Sequence, residues 1–287
     1  MKTFKIFLAA MTAVAMTACT NDEELVFTPA DGEIQLQLIH PSGQTRATDT
    51  SFENSDKIGV YVTTADAALQ LGGNVVNNEL FTYNGTSWTS PRKAYWNAGK
   101  HNVYAYYPYS QTINDVEDYK FSVQTDQSTK EGYTNSDFLW ASATDVAASN
   151  SAVKMQFAHK LSCVNVQLVK GESYEGDIPA STEVYLYSTT PDALISLTSG
   201  DATKDSYGSS ASIRCYQVSN TLYKAIVVPQ NLSTQRPLVE VVIGNVSYLM
   251  EGKISYKPGM RHTLTITLEQ NPEKIKINIG GEIEGWK

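Results

Sequence analysis

The side chains able to do chemistry are few and scattered. Four histidines, His40, His101, His159 and His262, are spread over 287 residues, and none stands at the i, i+4 spacing by which a helix presents two imidazoles to one zinc ion. Asp115 and Glu117 have the residue types of a glycosidase acid and base. They lie in a polar, loop-like segment, however, and such a pair is defined by a fixed separation that sequence does not carry. A glycine-rich phosphate loop, a nucleophile elbow and a Cys-x-x-Cys pair are all missing. His159, in Phe157-Ala158-His159-Lys160-Leu161-Ser162, would share a strand face with Phe157 and reads as a hydrogen-bonded structural histidine. These residues select no catalytic role, metal or cofactor, and the expectation is a protein that is not an enzyme.

The cysteines say more. Lys2 and Lys5 precede an apolar run from Phe7 to Met16 and then Thr17-Ala18-Cys19, the layout of an export signal whose small residues mark the cut. The run is too short to span a bilayer. Cys19 would then become the acylated first residue, a lipid anchor for the mature chain. The acidic stretch Thr20-Asn21-Asp22-Glu23-Glu24 resembles the signal that sends lipoproteins of some Gram-negative anaerobes to the outer face of the outer membrane, so the expected location is the cell surface. Cys163 and Cys215 remain in the body; an oxidising compartment permits a disulfide between them, although spacing alone does not fix the geometry a bridge needs.

The elements that must position these residues are strands. Glu33-Ile34-Gln35-Leu36-Gln37-Leu38-Ile39 alternates apolar and polar, with Ile34, Leu36 and Leu38 on one face. Further strands are expected over 57–63, 102–107, 120–124, 153–157, 164–169, 183–187, 222–228, 238–243, 246–250, 263–268 and 274–279, and no stretch holds a helical period. Gly244-Asn245 between the apolar runs 238–243 and 246–250 predicts a two-residue hairpin turn. Many short strands joined by Gly-, Ser-, Asn- and Pro-rich loops argue for β-sandwiches with Greek-key-like connections.

Residues 141–151, Ala-Ser-Ala-Thr-Asp-Val-Ala-Ala-Ser-Asn-Ser, hold no large apolar side chain except Val146 and read as a linker or exposed loop. That places a boundary near 150. The expected organisation is a signal over 1–18, a tether and first strand over 19–46, one sandwich over 47–150 and a second over 151–287. A net charge of -8 leaves no basic face for displacing counterions from nucleic acid, which is therefore excluded as a partner. The aromatic run Tyr95-Trp96 through Tyr104-Ala105-Tyr106-Tyr107-Pro108-Tyr109 reads first as sheet packing. A surface for glycan or host protein is its alternative.

Short motifs in a fixed order complete the picture: Thr45-Arg46-Ala47-Thr48, Asp56-Lys57-Ile58-Gly59-Val60-Tyr61, Tyr95-Trp96, Ala105-Tyr106-Tyr107-Pro108-Tyr109, Asp126-Gln127-Ser128, Ser136-Asp137-Phe138-Leu139-Trp140-Ala141, Phe157 through Ser162, Val228-Pro229-Gln230, and Tyr256-Lys257-Pro258-Gly259-Met260-Arg261-His262. In this order they resemble the fimbrillin family, lipoprotein subunits of type V pili. The resemblance implies an all-β chain of two transthyretin-like sandwiches that polymerises with other pilin subunits, as a homo- or hetero-polymer. It also implies a trypsin-like protease cutting behind an arginine near the start, which matches the Arg46–Ala47 bond. In the family, that cut releases the first strand and opens a groove for the terminal strand of another subunit.

The residues offer a physical basis of their own. Ile275, Ile277 and Ile279, alternating with Lys276 and Asn278, repeat the spacing of Ile34, Leu36 and Leu38. Either triad could fill an apolar groove left by the other, in the manner of donor-strand complementation. Both could equally be permanent strands of their own domains. Ile283 and Trp286 in the tail are possible further anchors.

Overall fold

The computed structural model describes residues 32–41, 51–271, 275–279 and 283–286. In chain order the first elements are β1 (Leu36–Ile39), β2 (Lys57–Thr64), β3 (Val76–Tyr83), β4 (Trp88–Thr89), β5 (Lys100–Tyr107), β6 (Tyr119–Ser122), the single-turn helix α1 (Lys130–Thr134), β7 (Leu139–Ala147), β8 (Val153–Gln156) and β9 (Ala158–His159). Then follow β10 (Ser162–Lys170), β11 (Glu183–Thr189), β12 (Asp192–Ile195), β13 (Ala202–Lys204), β14 (Ala211–Arg214), β15 (Tyr216–Gln217), β16 (Leu222–Val227), β17 (Gln230–Ile243), β18 (Val246–Tyr256), β19 (Met260–Leu268), β20 (Lys276–Asn278) and β21 (Ile283–Gly285). The chain is an all-β protein, as expected.

One sheet of order β4-β3-β2-β5-β7-β9 forms a middle layer. Its central strands β2 and β5 are largely apolar on both faces because both are covered. Ile58, Val60, Val62, Val103 and Ala105 face a core closed by the segments 34–39 and 153–157, built around β1 and β8, which contribute Ile34, Val153, Met155 and Phe157. The alternate residues Tyr61, Tyr104 and Tyr106 face a second, larger core. That core is enclosed by the sheet β15-β16-β10-β19-β20, on which β21 also pairs, and by the sheets β14-β11-β17-β18 and β13-β12-β6.

Two expectations about organisation change. Residues 141–151 are not a linker, nor a loop throughout: only 148–151 lie outside a strand, and 141–147 belong to β7, which pairs with β5. Its small and polar side chains are mostly outward-facing, so backbone pairing, which leaves no mark on composition, holds it in the sheet. Nor does one cut near 150 separate the bodies. The core closed by β1 and β8 extends to Phe157, whereas β6, from the first half, pairs with β12 in the second.

The hairpin at Gly244-Asn245 forms between β17 and β18, with Ile243 opposite Val246. Gly244 takes a positive φ of 59°, a conformation open to glycine without a Cβ clash. Helix α1 escaped the sequence reading because five residues are too few to show a period; Thr129 caps it by accepting from the Gly132 amide at 3.0 Å.

Candidate functional site

The two peripheral strand segments carry the functional question, and the structure seats them differently. Around β1, the Ile34 amide donates to Ala94 O at 2.8 Å and the Trp96 amide to Gly32 O at 2.9 Å. Further along, β1 runs parallel to β8, with Leu36 opposite Val153 and Leu38 opposite Met155. The segment thus bridges two backbones that it would leave unpaired if removed. Ile34 is 4% exposed, Leu36 and Leu38 are half-buried, and Gln35, Gln37 and Ile39 face outward. The alternation of the first triad is realised.

At the other terminus, β20 lies antiparallel on β19, with Ile277 opposite Ile266, and β21 pairs with the start of the same strand. Ile275, Ile277 and Ile279 are half-buried against the larger core while Lys276 and Asn278 are exposed. Ile279 lies against Gly252 and Leu238; a Cβ on Gly252 would overlap Ile279 Cδ1. The second triad is therefore folded onto its own chain. Arg46, Ala47 and Cys19 lie outside the described residues.

The tail is fastened by contacts that alternation does not reveal. Trp286 is 4% exposed; its ring lies parallel to that of His159, centroids 3.7 Å apart, and its amide donates to Gly259 O at 2.8 Å. His159 sits on β9 with Nδ1 2.9 Å from Asp137 Oδ2, so the end of the chain is pinned to the middle sheet. Arg261, which is buried, pairs with Glu284 at 2.9 Å. His159 is structural, as expected, and serves as the platform for Trp286.

The motifs that carried the resemblance prove to be internal fasteners. Gln127, fully buried, acts as a substitute for a strand residue opposite Ile226: its Oε1 accepts from the Ile226 amide at 2.8 Å and its Nε2 donates to Ile226 O at 2.8 Å. Gln230 does the same for Thr190, accepting at 2.9 Å and donating at 3.1 Å. Buried backbone groups without a sheet neighbour are costly, and a side-chain amide has the donor and acceptor to satisfy both. Ser136 accepts from the Gln124 amide at 2.9 Å, and Lys257 N donates to His262 Nε2 at 3.0 Å, which requires an unprotonated nitrogen there. Nothing local in the sequence distinguishes Gln127 or Gln230 from surface glutamines.

Cys163 and Cys215 are both buried and are not joined in a disulfide. Cys163 lies 3.8 Å from the Tyr133 hydroxyl, and burial pushes the Cys215 thiol well above its ordinary range. An apolar core accepts a neutral thiol as it would a small aliphatic group. The aromatic run packs into the sheet, as its first reading had it: Trp96, Tyr104 and Tyr106 are buried, and the Tyr106 hydroxyl donates to Asn78 Oδ1 at 2.7 Å. Among the described residues no group of three or more His, Cys, Asp or Glu side chains is placed to hold a metal ion.

The structure is an all-β architecture with buried polar fasteners, a peripheral first strand and a folded-back tail. The chain belongs to the fimbrillin-like family, whose profile matches residues 45–286, and is a non-enzymatic protein. It is 28% identical over 195 residues to a candidate fimbrium tip subunit of Bacteroides ovatus, a stretch that covers 58% of this chain and 36% of that protein. The chain thus spans about a third of that relative. It is 25% identical to a candidate fimbrium subunit of Bacteroides uniformis over 100% of its own length and 96% of the other. In architecture it resembles the crystal structure of a candidate cell adhesion protein from Bacteroides ovatus, with a TM-score of 0.73 and 21% identity over 89% of this chain and 98% of that one. A second such protein, from Bacteroides uniformis, gives 0.67 and 22% over 90% and 100%.

Proposed function

We propose that this chain is a pilin of a cell-surface fimbrium, lipid-anchored at Cys19 until a trypsin-like protease cuts between Arg46 and Ala47. The cut separates β1 from the remainder of the chain. The trough it leaves, floored by the core of Val153, Met155 and Phe157, then receives the Ile275–Ile279 segment of a neighbouring subunit. The assembled fibre serves adhesion, and the fimbrium-subunit names of the relatives support this reading.

The observation that carries this reading is the seat of β1. Together with the preceding residues 32–35, its backbone closes two otherwise unpaired edges, at 94–96 and 153–157, and the apolar face of this segment covers a core. With Ile34 buried and Leu36 and Leu38 half-buried, the segment contributes roughly 3–6 kcal/mol of gross apolar stabilisation. Such a trough is too unfavourable to stay open, so an inserted strand of matching alternation is retained. For the donor, β20 and β21 each meet only β19 as a strand partner among the described residues.

Limited trypsin treatment of the full chain should cut after Arg46 and give SDS-resistant oligomers. Removal of residues 274–287 should leave cleavage intact and abolish them. Cleaved protein that stays monomeric at high concentration would overturn the reading.

A further inference from the structure

The motif Phe157-Ala158-His159-Lys160-Leu161-Ser162 lies where the two ends of the described chain meet. At its leading end the Phe157 amide donates to Ile39 O at 2.9 Å, so the first strand is paired to the residues that run into β9. At its trailing end the Gly259 amide donates to Leu161 O at 2.8 Å and the Trp286 amide to Gly259 O at 2.8 Å, which ties the tail to the same segment through one turn. Between them stands His159. Its ring carries Trp286 in a parallel stack, centroids 3.7 Å apart and planes 6° apart, and meets the ring of His40 edge-on, centroids 6.0 Å apart at 80°. His40 directly follows β1. One imidazole therefore touches both the segment that processing would remove and the tail that continues the donor segment.

Removal of the first strand would leave the platform in place but strip its support. β9 stays on β7 through the pairs Leu139–His159 and Trp140–Ala158, and the Lys160 amide stays on Phe138 O at 2.9 Å, so the backbone under His159 does not need β1. The ring does lose a neighbour. His40 also lines a cleft of about 340 Å³ with Phe52, Asp56, Tyr107 and Asp137, and its departure would widen that cleft beside the His159–Asp137 pair. Trp286 is sensitive to this loss because packing alone holds its ring: Trp286 Nε1 and His159 Nε2 are buried without a hydrogen-bond partner among the described residues, whereas a buried indole N–H ordinarily has an acceptor. The remaining tie, Arg261 to Glu284, has its carboxylate half exposed, where such a pair contributes little.

We infer that His159 couples the two ends: while His40 packs against it the tail is latched to its own chain, and departure of the first strand loosens the Trp286 stack, so that a subunit frees its donor segment only once it has been processed. A contact present in one state and absent in the other is what shifts such an equilibrium, and the His40–His159 contact is of that kind. The latch rests on the strand-exchange reading and deepens it, since one event then releases acceptor and donor together. An unlatched but unprocessed chain would fill a neighbour's trough while offering none, and so end the fibre.

The test is amide exchange of the full, uncut chain, read at Lys276–Asn278 and Ile283–Gly285. His40→Ala should speed exchange of both segments roughly threefold to tenfold, the worth of one aromatic contact, whereas His40→Phe, which keeps a ring against His159, should stay within about twofold of the unaltered chain. In Trp286→Ala, where the stack is already lost, His40→Ala should add nothing further. Trypsin-cut protein, kept too dilute to associate, should show the same acceleration once mass spectrometry shows that the first strand has left. Unchanged exchange in His40→Ala, or an equal increase in the Trp286→Ala background, would overturn the inference. SDS-resistant oligomers from cut protein, together with a His40→Ala tail as protected as the unaltered one, would sink the latch and leave strand exchange standing; accelerated tail exchange in cut protein that stays monomeric at high concentration would support the latch and sink strand exchange.

Discussion

The first and last strand segments share one alternating pattern but not one kind of attachment. The segment 32–39, which includes β1, is held by backbone pairing to two separate edges and by one buried side chain, Ile34. The C-terminal segments rest on the single strand β19 with three half-buried isoleucines, and depend on Trp286 and the Arg261–Glu284 pair at their far end. A triad of aliphatic residues therefore describes what a strand can bury, whereas its neighbours decide how firmly it is held. In one case retention is spread along the strand; in the other it is concentrated in the tail.

The comparison is broken most forcefully by removing residues 33–41. This should destabilise the chain by roughly 3–6 kcal/mol and cause association through the exposed 153–157 edge, read by urea denaturation and light scattering. If the loss were no larger than that from removing 275–286, the two seats would be equivalent. Trp286→Ala should cost about 3 kcal/mol, near the lower end for a buried aromatic, and should raise amide exchange across Lys276–Asn278 as well as at the tail itself. Exchange confined to 283–286 would show that the tail does not hold the donor segment.

A smaller effect is expected from Gly252→Ala, whose Cβ would displace Ile279. About 1–3 kcal/mol of overpacking cost should appear, with β1 unaffected; amide exchange of residues 36–39 provides the control. The smallest effect is a pH dependence. Burial holds His262 below its ordinary value of 6.5, and likewise His101. The unfolded chain therefore binds more protons than the folded one between that depressed value and 6.5, so stability should fall as pH drops below about 6.5. Replacing His262 by Gln should flatten this slope in urea midpoints measured from pH 7 to 5; an unchanged slope would assign the effect elsewhere.

Legibility in the sequence followed local period. The β17–β18 hairpin was readable because Gly244-Asn245 separates two apolar runs, and the facing of Ile34, Leu36 and Leu38 because alternation suffices for a half-buried strand. β7 was unreadable because its mostly outward-facing small residues carry no such period. The fasteners were also hidden. Gln127 acts on Ile226, 99 residues away, and Gln230 on Thr190, 40 residues away, so their environment is made by topology. Whether Cys163 and Cys215 pair stayed open in the sequence, which reports a permissive chemistry but not the position of two Cβ atoms.

By itself the sequence determined the all-β class, the position of many strands and the two apolar triads, since period-two alternation is a property of neighbouring residues alone. Only the tertiary structure decided which backbone each triad rests on, that the aromatic run packs inward, and that the thiols stay apart. Each of those depends on residues far apart in the chain arriving at the same place, and that distance is what a linear pattern does not encode.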